Sequence, residues 1–206
     1  MTALLGWTWA DRAEAVASLD GIRAEYQGRI AALFATVPLP DARDHLRCQQ
    51  YCFRVSDAFL PHPRGMPIPP VEAVLADLQR LGGFGQLRVT LRMEQASQRD
   101  AVGSGRAYLQ ALRERRAKAD CWRNAARSVL RALAADMESS AQTIDVGEAD
   151  AVCDLLLPAA PDAVVAARFR QVCARSAALA ALPAKIAVSG LWPPLSFVHQ
   201  GAPLDA

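Results

Sequence analysis

A strand with one buried face and one solvated face is predicted in the middle of the chain. Its apolar and polar positions alternate strictly, so that Leu87, Val89, Leu91 and Met93 lie between Arg88, Thr90, Arg92 and Glu94. Period two is the spacing at which successive side chains point to opposite faces of a sheet. Sheets that keep one face in water are commonly antiparallel, so we expect an antiparallel sheet in this part of the chain.

The first eighty residues alternate between strand-like and helix-like patterns. Short apolar runs at 3–10, 22–27 and 29–40 predict strands, and the second of these alternates Ile22, Ala24 and Tyr26 on one face. Helices are predicted over 11–20, 41–60 and 71–81, with Asp11 and Asp41 as N-caps and with Gly82 and Gly83 closing the third. The order β-α-β-β-α-loop-α is compatible with a ferredoxin-like α/β sandwich.

The second part of the chain contains a helix of unusual length, roughly 106–138. An apolar stripe in steps of three and four residues runs along it, interrupted by Arg115: Tyr108, Leu112, Ala119, Trp122, Ala126, Val129, Leu133 and Met137. A strand at 150–158, a helix at 162–181 and a strand at 184–190 follow. We therefore expect two α+β domains, residues 1–83 and 84–206.

Composition narrows the class of protein. The chain has 206 residues, of which 52% are hydrophobic and 21% charged, and its net charge is +2. These values indicate a folded protein and not, as a whole chain, a polyanion binder. We expect no membrane helix and no signal peptide. The odd number of cysteines, five, favours free thiols in a reducing cytoplasm over a disulfide framework.

Catalytic and metal-binding patterns are weak. The three histidines do not lie near a hydrolase motif, and the glycines form neither a P-loop nor a dinucleotide-binding fingerprint. We expect no enzyme activity and no cofactor. One helix face carries His45, Cys48 and Cys52, and His62 is a conceivable fourth ligand, but structural zinc sites usually take closely spaced cysteine pairs from turns. Burial in the core is the favoured interpretation of these side chains.

Two further segments suggest binding surfaces. From Arg106 to Arg131 there are eight cations and two carboxylates, a local balance of +6. A face containing Arg113, Arg116, Arg123 and Arg127 therefore suits an acidic protein partner or, as an alternative, nucleic acid; a merely solvated face is also compatible. The run "LPHPRGMPIPP" favours extended backbone, and a stiff connector is preferred there over a ligand for a polyproline-reading domain.

The C-terminal stretch "SGLWPPLSFVHQ" predicts a corner. Pro193 and Pro194 have no backbone N–H, so the strand before them should end there or lie at a sheet edge. We expect Trp192 and Phe197 to anchor the exit of the chain against the core of the second domain.

This stretch resembles the end of the gas vesicle GvpL/GvpF family, which has a pattern like Gly-Pro-Trp-Pro-Pro-Tyr-Ser-Phe. Six residues match it: Gly190, Trp192, Pro193, Pro194, Ser196 and Phe197. Leu191 and Leu195 replace the proline and the tyrosine. Weaker similarities lie upstream in the same order, at Leu60, Pro61 and Gly65 and at Gly105, Tyr108 and Leu109.

The resemblance implies two α+β domains, of which the first has a modified ferredoxin-like fold. It also implies a non-enzymatic accessory protein of gas vesicle assembly, found in the cytoplasm or with the vesicle. Such a protein binds the small hydrophobic shell protein and other accessory proteins as a chaperone or nucleation factor. The six motif residues are then structural or partner-binding. The alternative is a binding module that uses the basic helix to hold nucleic acid or another anionic surface.

Overall fold

The computed structural model describes residues 3–39, 41–94 and 105–198. These residues divide into two compact units. The first takes the described residues of Met1–Gln86, Leu156–Ala160 and Leu191–Ala206. The second takes those of Leu87–Leu155 and Pro161–Gly190. The first unit therefore draws on three separate segments of the chain, including its C-terminal end.

The first unit contains a four-stranded sheet with three helices. In chain order the elements are β1 (Ala3–Trp9), α1 (Ala10–Ala17), β2 (Ile22–Gln27), β3 (Ile30–Ala35), α2 (Ala42–Val55), β4 (Leu60–Pro61) and α3 (Val71–Leu81). The strand order is β2-β3-β1-β4, and all three pairings are antiparallel. This is the strand order of a βαββαβ ferredoxin-like unit, in which the fourth strand is reduced to two residues.

The short fourth strand packs unusually close to β1. A β-bulge lies between Leu4 and Gly6, and a Cβ atom at Gly6 would collide with the carbonyl oxygen of Leu60. Only glycine allows two backbones to approach this closely. The pairing of Gly6 with Pro61 and of Trp7 with Leu60 depends on that approach.

The second four-stranded sheet is antiparallel, with the order β6-β7-β5-β8. Its elements are β5 (Phe84–Met93), α4 (Gly105–Asp136), β6 (Ala141–Val146), β7 (Asp150–Pro158), α5 (Asp162–Arg175), α6 (Ala177–Ala180) and β8 (Ala184–Trp192), followed by a 3-10 turn at Leu195–Phe197. The alternation predicted for the central strand is confirmed, since Leu87, Val89 and Leu91 are buried and Arg88 and Arg92 are exposed. The α+β class with two small units and a long helix is likewise confirmed.

Sequence and structure differ in several elements. The helix predicted over 41–60 ends at Val55, and β4 begins at Leu60, the last position of the predicted helix. Strand β6 was not predicted, because its side chains are neither clearly apolar nor strictly alternating. Asp41 caps α2 as predicted, accepting hydrogen bonds from the amides of Arg43 (2.7 Å) and Asp44 (2.9 Å), whereas Asp11 lies inside the first turn of α1 and its side chain makes no cap.

Candidate functional site

The Trp-Pro-Pro segment forms a corner at the end of β8. This strand ends at Trp192, directly before the two prolines, and it is an edge strand of its sheet, as predicted. Gly190 has φ of 106°, a conformation that favours glycine and explains its place in the motif. Pro193 and Pro194 are buried, and a 3-10 turn over Leu195–Phe197 follows them.

One buried glutamine holds the serine of the motif by two hydrogen bonds. The Ser196 amide donates to Gln86 Oε1 at 2.8 Å, and Gln86 Nε2 donates to Ser196 Oγ at 3.1 Å. The Gln86 side chain is only 3% exposed. A buried side-chain amide without partners would be costly, so this pair fixes the register of the turn on β5.

Helix α3 holds the phenylalanine end of the motif. Arg80 donates to the carbonyl oxygen of Phe197 at 2.6 Å and to Asp77 Oδ1, also at 2.6 Å. The carboxylate orients the guanidinium, and charge-assisted hydrogen bonds of this kind are stronger than neutral ones. The Phe197 ring is 1% exposed, so the corner is tied down by both packing and hydrogen bonds.

Leu191 occupies the position where the family pattern has a proline, and it packs into a gap left by a glycine. A Cβ atom at Gly85 would collide with the Leu191 side chain and would lie 2.9 Å from the Phe53 ring. Leu191 is buried, whereas Trp192 is half-buried. The motif therefore presents mainly buried groups, and its geometry is that of a structural corner.

The expected anchoring differs in one respect from the structure. Trp192 and Phe197 were expected against the core of the second domain, whereas the structure groups residues 191–198 with the first unit. The physical reason is that the hydrogen-bond partners of the turn, Arg80 and Gln86, belong to that unit.

The two histidines considered as metal ligands are close together, but both serve the backbone. His45 donates from Nε2 to the carbonyl oxygen of His62 at 3.1 Å, and Gln49 Nε2 donates to the same oxygen at 2.8 Å and to that of Leu5 at 2.7 Å. The His62 ring meets Trp7 edge to face at 5.0 Å between centroids. These contacts hold the chain after β4 against β1.

The cysteines of the same helix are not exposed metal ligands. Burial raises the pKa of Cys52 to about 12, so its thiol keeps its proton at neutral pH. Burial likewise raises the pKa of Cys48, and the carboxylate of Asp44 adds to that effect. Within residues 3–39, 41–94 and 105–198, no group of three or more histidine, cysteine or acidic side chains is arranged to hold a metal ion. All five cysteines are free.

The predicted basic face lies on α4. At about 100° per residue, Arg113, Arg116, Arg123 and Arg127 fall within one sector of the helix. Arg113, Arg116 and Arg127 are exposed, and Arg123 is half-buried and paired with Asp120. Four guanidinium groups on one face are suited to bind an anionic surface. The ion pair with Asp120 partly neutralises only one of them, Arg123.

The comparisons with known proteins are clear only at the level of structure. No protein-family model matches the sequence, and no curated protein matches it. This chain is similar to the crystal structure of the gas vesicle protein GvpF from Anabaena sp. PCC7120. The alignment covers 98% of this chain and 97% of the GvpF chain, with a TM-score of 0.64 and 12% sequence identity.

The chain has the GvpF fold. A second GvpF structure, from Microcystis aeruginosa, is also similar. The alignment covers 96% of this chain and 98% of that GvpF chain, with a TM-score of 0.56 and 12% sequence identity. The resemblance drawn from the Trp-Pro-Pro motif is therefore confirmed for the fold. No helix among the described residues is long and apolar enough to cross a membrane.

Within this GvpF-like fold, the residues that hold the motif were missed by sequence reasoning. Gln86 lies on the same face of β5 as Arg88, which the alternation predicts to be in water. It is buried because the C-terminal turn covers it, a contact between residues 110 positions apart. Arg80 and Asp77 look like an ordinary i, i+3 helix pair in the sequence. The sequence carried no signal for their role.

Proposed function

We propose that this protein is a non-enzymatic accessory factor of gas vesicle assembly, which binds the hydrophobic shell protein and other accessory proteins as a chaperone or nucleation factor. The observation that carries the proposal is the likeness to two GvpF structures over nearly the full length of all chains. The Trp-Pro-Pro motif at the end of β8 adds independent support from the sequence. We place the protein in the cytoplasm, in association with the vesicle.

A factor that covers an apolar shell subunit needs apolar side chains of its own at the surface. The first unit offers them on the segment that joins β4 to α3 and on the first residue of that helix, residues 62–71, here called the proline strap. Met66 is 54% exposed, Ile68 71% and Val71 39%. We propose that the proline strap is the contact surface for the shell protein.

The proline strap is held in place at its base. The His62 amide donates to the carbonyl oxygen of Leu5 at 2.8 Å, and the His62 ring meets the carbonyl oxygen of Met66 at 3.1 Å through Nε2. The Met66 amide donates to Pro63 O at 3.2 Å. Prolines and these contacts reduce the entropy lost on binding, so the apolar tips are preorganised.

The two described histidines are poorly placed to act as general bases, which supports a non-enzymatic role. His45 and His62 are 4% and 5% exposed, and both use Nε2 on backbone carbonyl oxygens. A general base has to reach a substrate proton through a ring nitrogen. In both residues Nε2 is already engaged by the backbone.

The test is co-expression of the affinity-tagged protein with the gas vesicle shell protein of the same organism. We expect the shell protein to remain in the soluble fraction and to co-purify. The double variant Met66→Ser/Ile68→Ser should lose most of the co-purified shell protein. The matched control is Val37→Ser, which removes an apolar side chain of similar exposure, 53%, outside the strap.

Equal melting temperatures would show that the variants fold. Absence of association with the wild-type protein would contradict the proposed function. Association that Met66→Ser/Ile68→Ser leaves unchanged would contradict the proline strap as its surface.

A further inference from the structure

The two halves of α4 differ sharply in burial. Between Arg106 and Cys121 none of the side chains that the structure describes is buried, and Tyr108 and Leu109 are 64% and 55% exposed. From Trp122 to Asp136 six side chains are buried: Trp122, Ala126, Val129, Leu130, Leu133 and Ala134. The first half, residues 105–121, is here called the free half of α4. At 1.5 Å per residue it is about 25 Å long.

The apolar stripe of α4 continues onto the free half. At about 100° per residue, Tyr108, Leu112 and Ala119 lie on the same side of the helix as Trp122 and Ala126. In the second half this side packs into the core of the unit, whereas on the free half Tyr108 is exposed and Leu112 and Ala119 are only half-buried. The stripe has the spacing that packs against another helix.

The charge of the free half of α4 determines which kind of helix can bind to it. The free half carries five cations against two carboxylates, Glu114 and Asp120, a balance of +3. Arg116 flanks the stripe on one side and Lys118 flanks it on the other, while Arg115 lies within it. A second copy of this chain would place +3 against +3, which disfavours self-association. An amphipathic helix with acidic flanking positions is complementary both to the apolar stripe and to the positive charge beside it.

We propose that the free half of α4 is a docking site for an acidic amphipathic helix of a partner protein. The apolar positions of that helix lie on Tyr108 and Leu112, and its carboxylates face Arg116 and Lys118. This interaction is additional to shell-protein binding, since it uses a different unit and a different chemistry from the proline strap. It does not depend on the proposed function.

The test uses the full-length protein and two fluorescent peptides of three heptads, about 21 residues each. Both peptides have leucine at the core positions; one has glutamate at the flanking positions and the other lysine. Fluorescence anisotropy should show that the glutamate peptide binds at least tenfold more tightly. The charge reversal Arg116→Glu/Lys118→Glu should abolish that preference, and Leu112→Asp should weaken both peptides.

Two controls keep the result specific. Lys185→Glu reverses an exposed charge in the same unit but outside α4 and should leave the tenfold preference unchanged. Melting curves establish that each variant is folded, which is expected because the altered side chains are exposed or half-buried.

Three results would overturn the proposal. The first is equal binding of the two peptides. The second is a concentration-dependent dimer that Leu112→Asp abolishes, because a second copy would then cover the stripe. The third is retention of duplex DNA at low salt that Arg116→Glu/Lys118→Glu abolishes while the glutamate peptide is not bound, because the face would then serve nucleic acid. All three are independent of whether the shell protein co-purifies.

Discussion

Phe197 contributes more to the stability of the C-terminal corner than Trp192, the most conspicuous residue of the motif. Its ring is 1% exposed and its carbonyl oxygen is held by Arg80, whereas Trp192 is half-buried. A large apolar side chain stabilises the fold in proportion to the surface it removes from water. At the residue scale, the motif is therefore explained by its glycine, its prolines and its phenylalanine.

Replacing Phe197 by alanine should lower the free energy of unfolding by about 3–5 kcal/mol, because the ring leaves a cavity in a closed environment. Trp192→Ala should cost less, about 1–2 kcal/mol, since part of the indole is already in water. Urea unfolding of both variants measures the difference. A larger loss for Trp192→Ala would contradict this assignment of the anchor.

Cys52 should make stability depend on alkaline pH. Its pKa is about 12 in the folded protein, against an ordinary value of 9.0. Below pH 9 both states keep the proton and nothing changes. Between pH 9 and 12 the unfolded state loses it first, so the free energy of unfolding falls, by at most about 1.4 kcal/mol per pH unit. Cys52→Ala should show a shallower decline than the wild type, and identical slopes would contradict the burial of this thiol.

At the scale of elements, long regular patterns could be predicted from the sequence. A very short strand, and a side chain covered by a distant segment, could not. The alternation of β5 and the stripe of α4 depend only on neighbours in sequence, and both were predicted. Strand β4 has two residues, too few to show a period, and its pairing depends on the glycine at position 6. The burial of Gln86 depends on a turn 110 residues later, which no local pattern encodes.

The two halves of α4 should respond differently to substitution. Trp122 is 4% exposed, and Trp122→Ala should lower the free energy of unfolding by about 3–5 kcal/mol. Tyr108 is 64% exposed, and Tyr108→Ser should change it by no more than about 0.5 kcal/mol. Thermal or urea unfolding compares the two. A large effect of Tyr108→Ser would mean that the free half is covered within the protein itself.

At the scale of the whole molecule, net charge is a poor guide to surface chemistry. The chain carries only +2, yet the free half of α4 alone carries +3. The exposed apolar side chains of the proline strap lie in the first unit and the cations of α4 in the second. One chain therefore offers an apolar surface in its first unit and a basic surface in its second.

We propose that this protein serves gas vesicle assembly, and that role can be tested in living cells. The most direct measurement is deletion of its gene in the source organism, followed by counting of vesicles in electron micrographs. We predict that the deletion strain forms few or no vesicles, and that the wild-type gene restores them while the Met66→Ser/Ile68→Ser variant does not. Vesicles of normal number and shape in the deletion strain would contradict the proposed role in gas vesicle assembly.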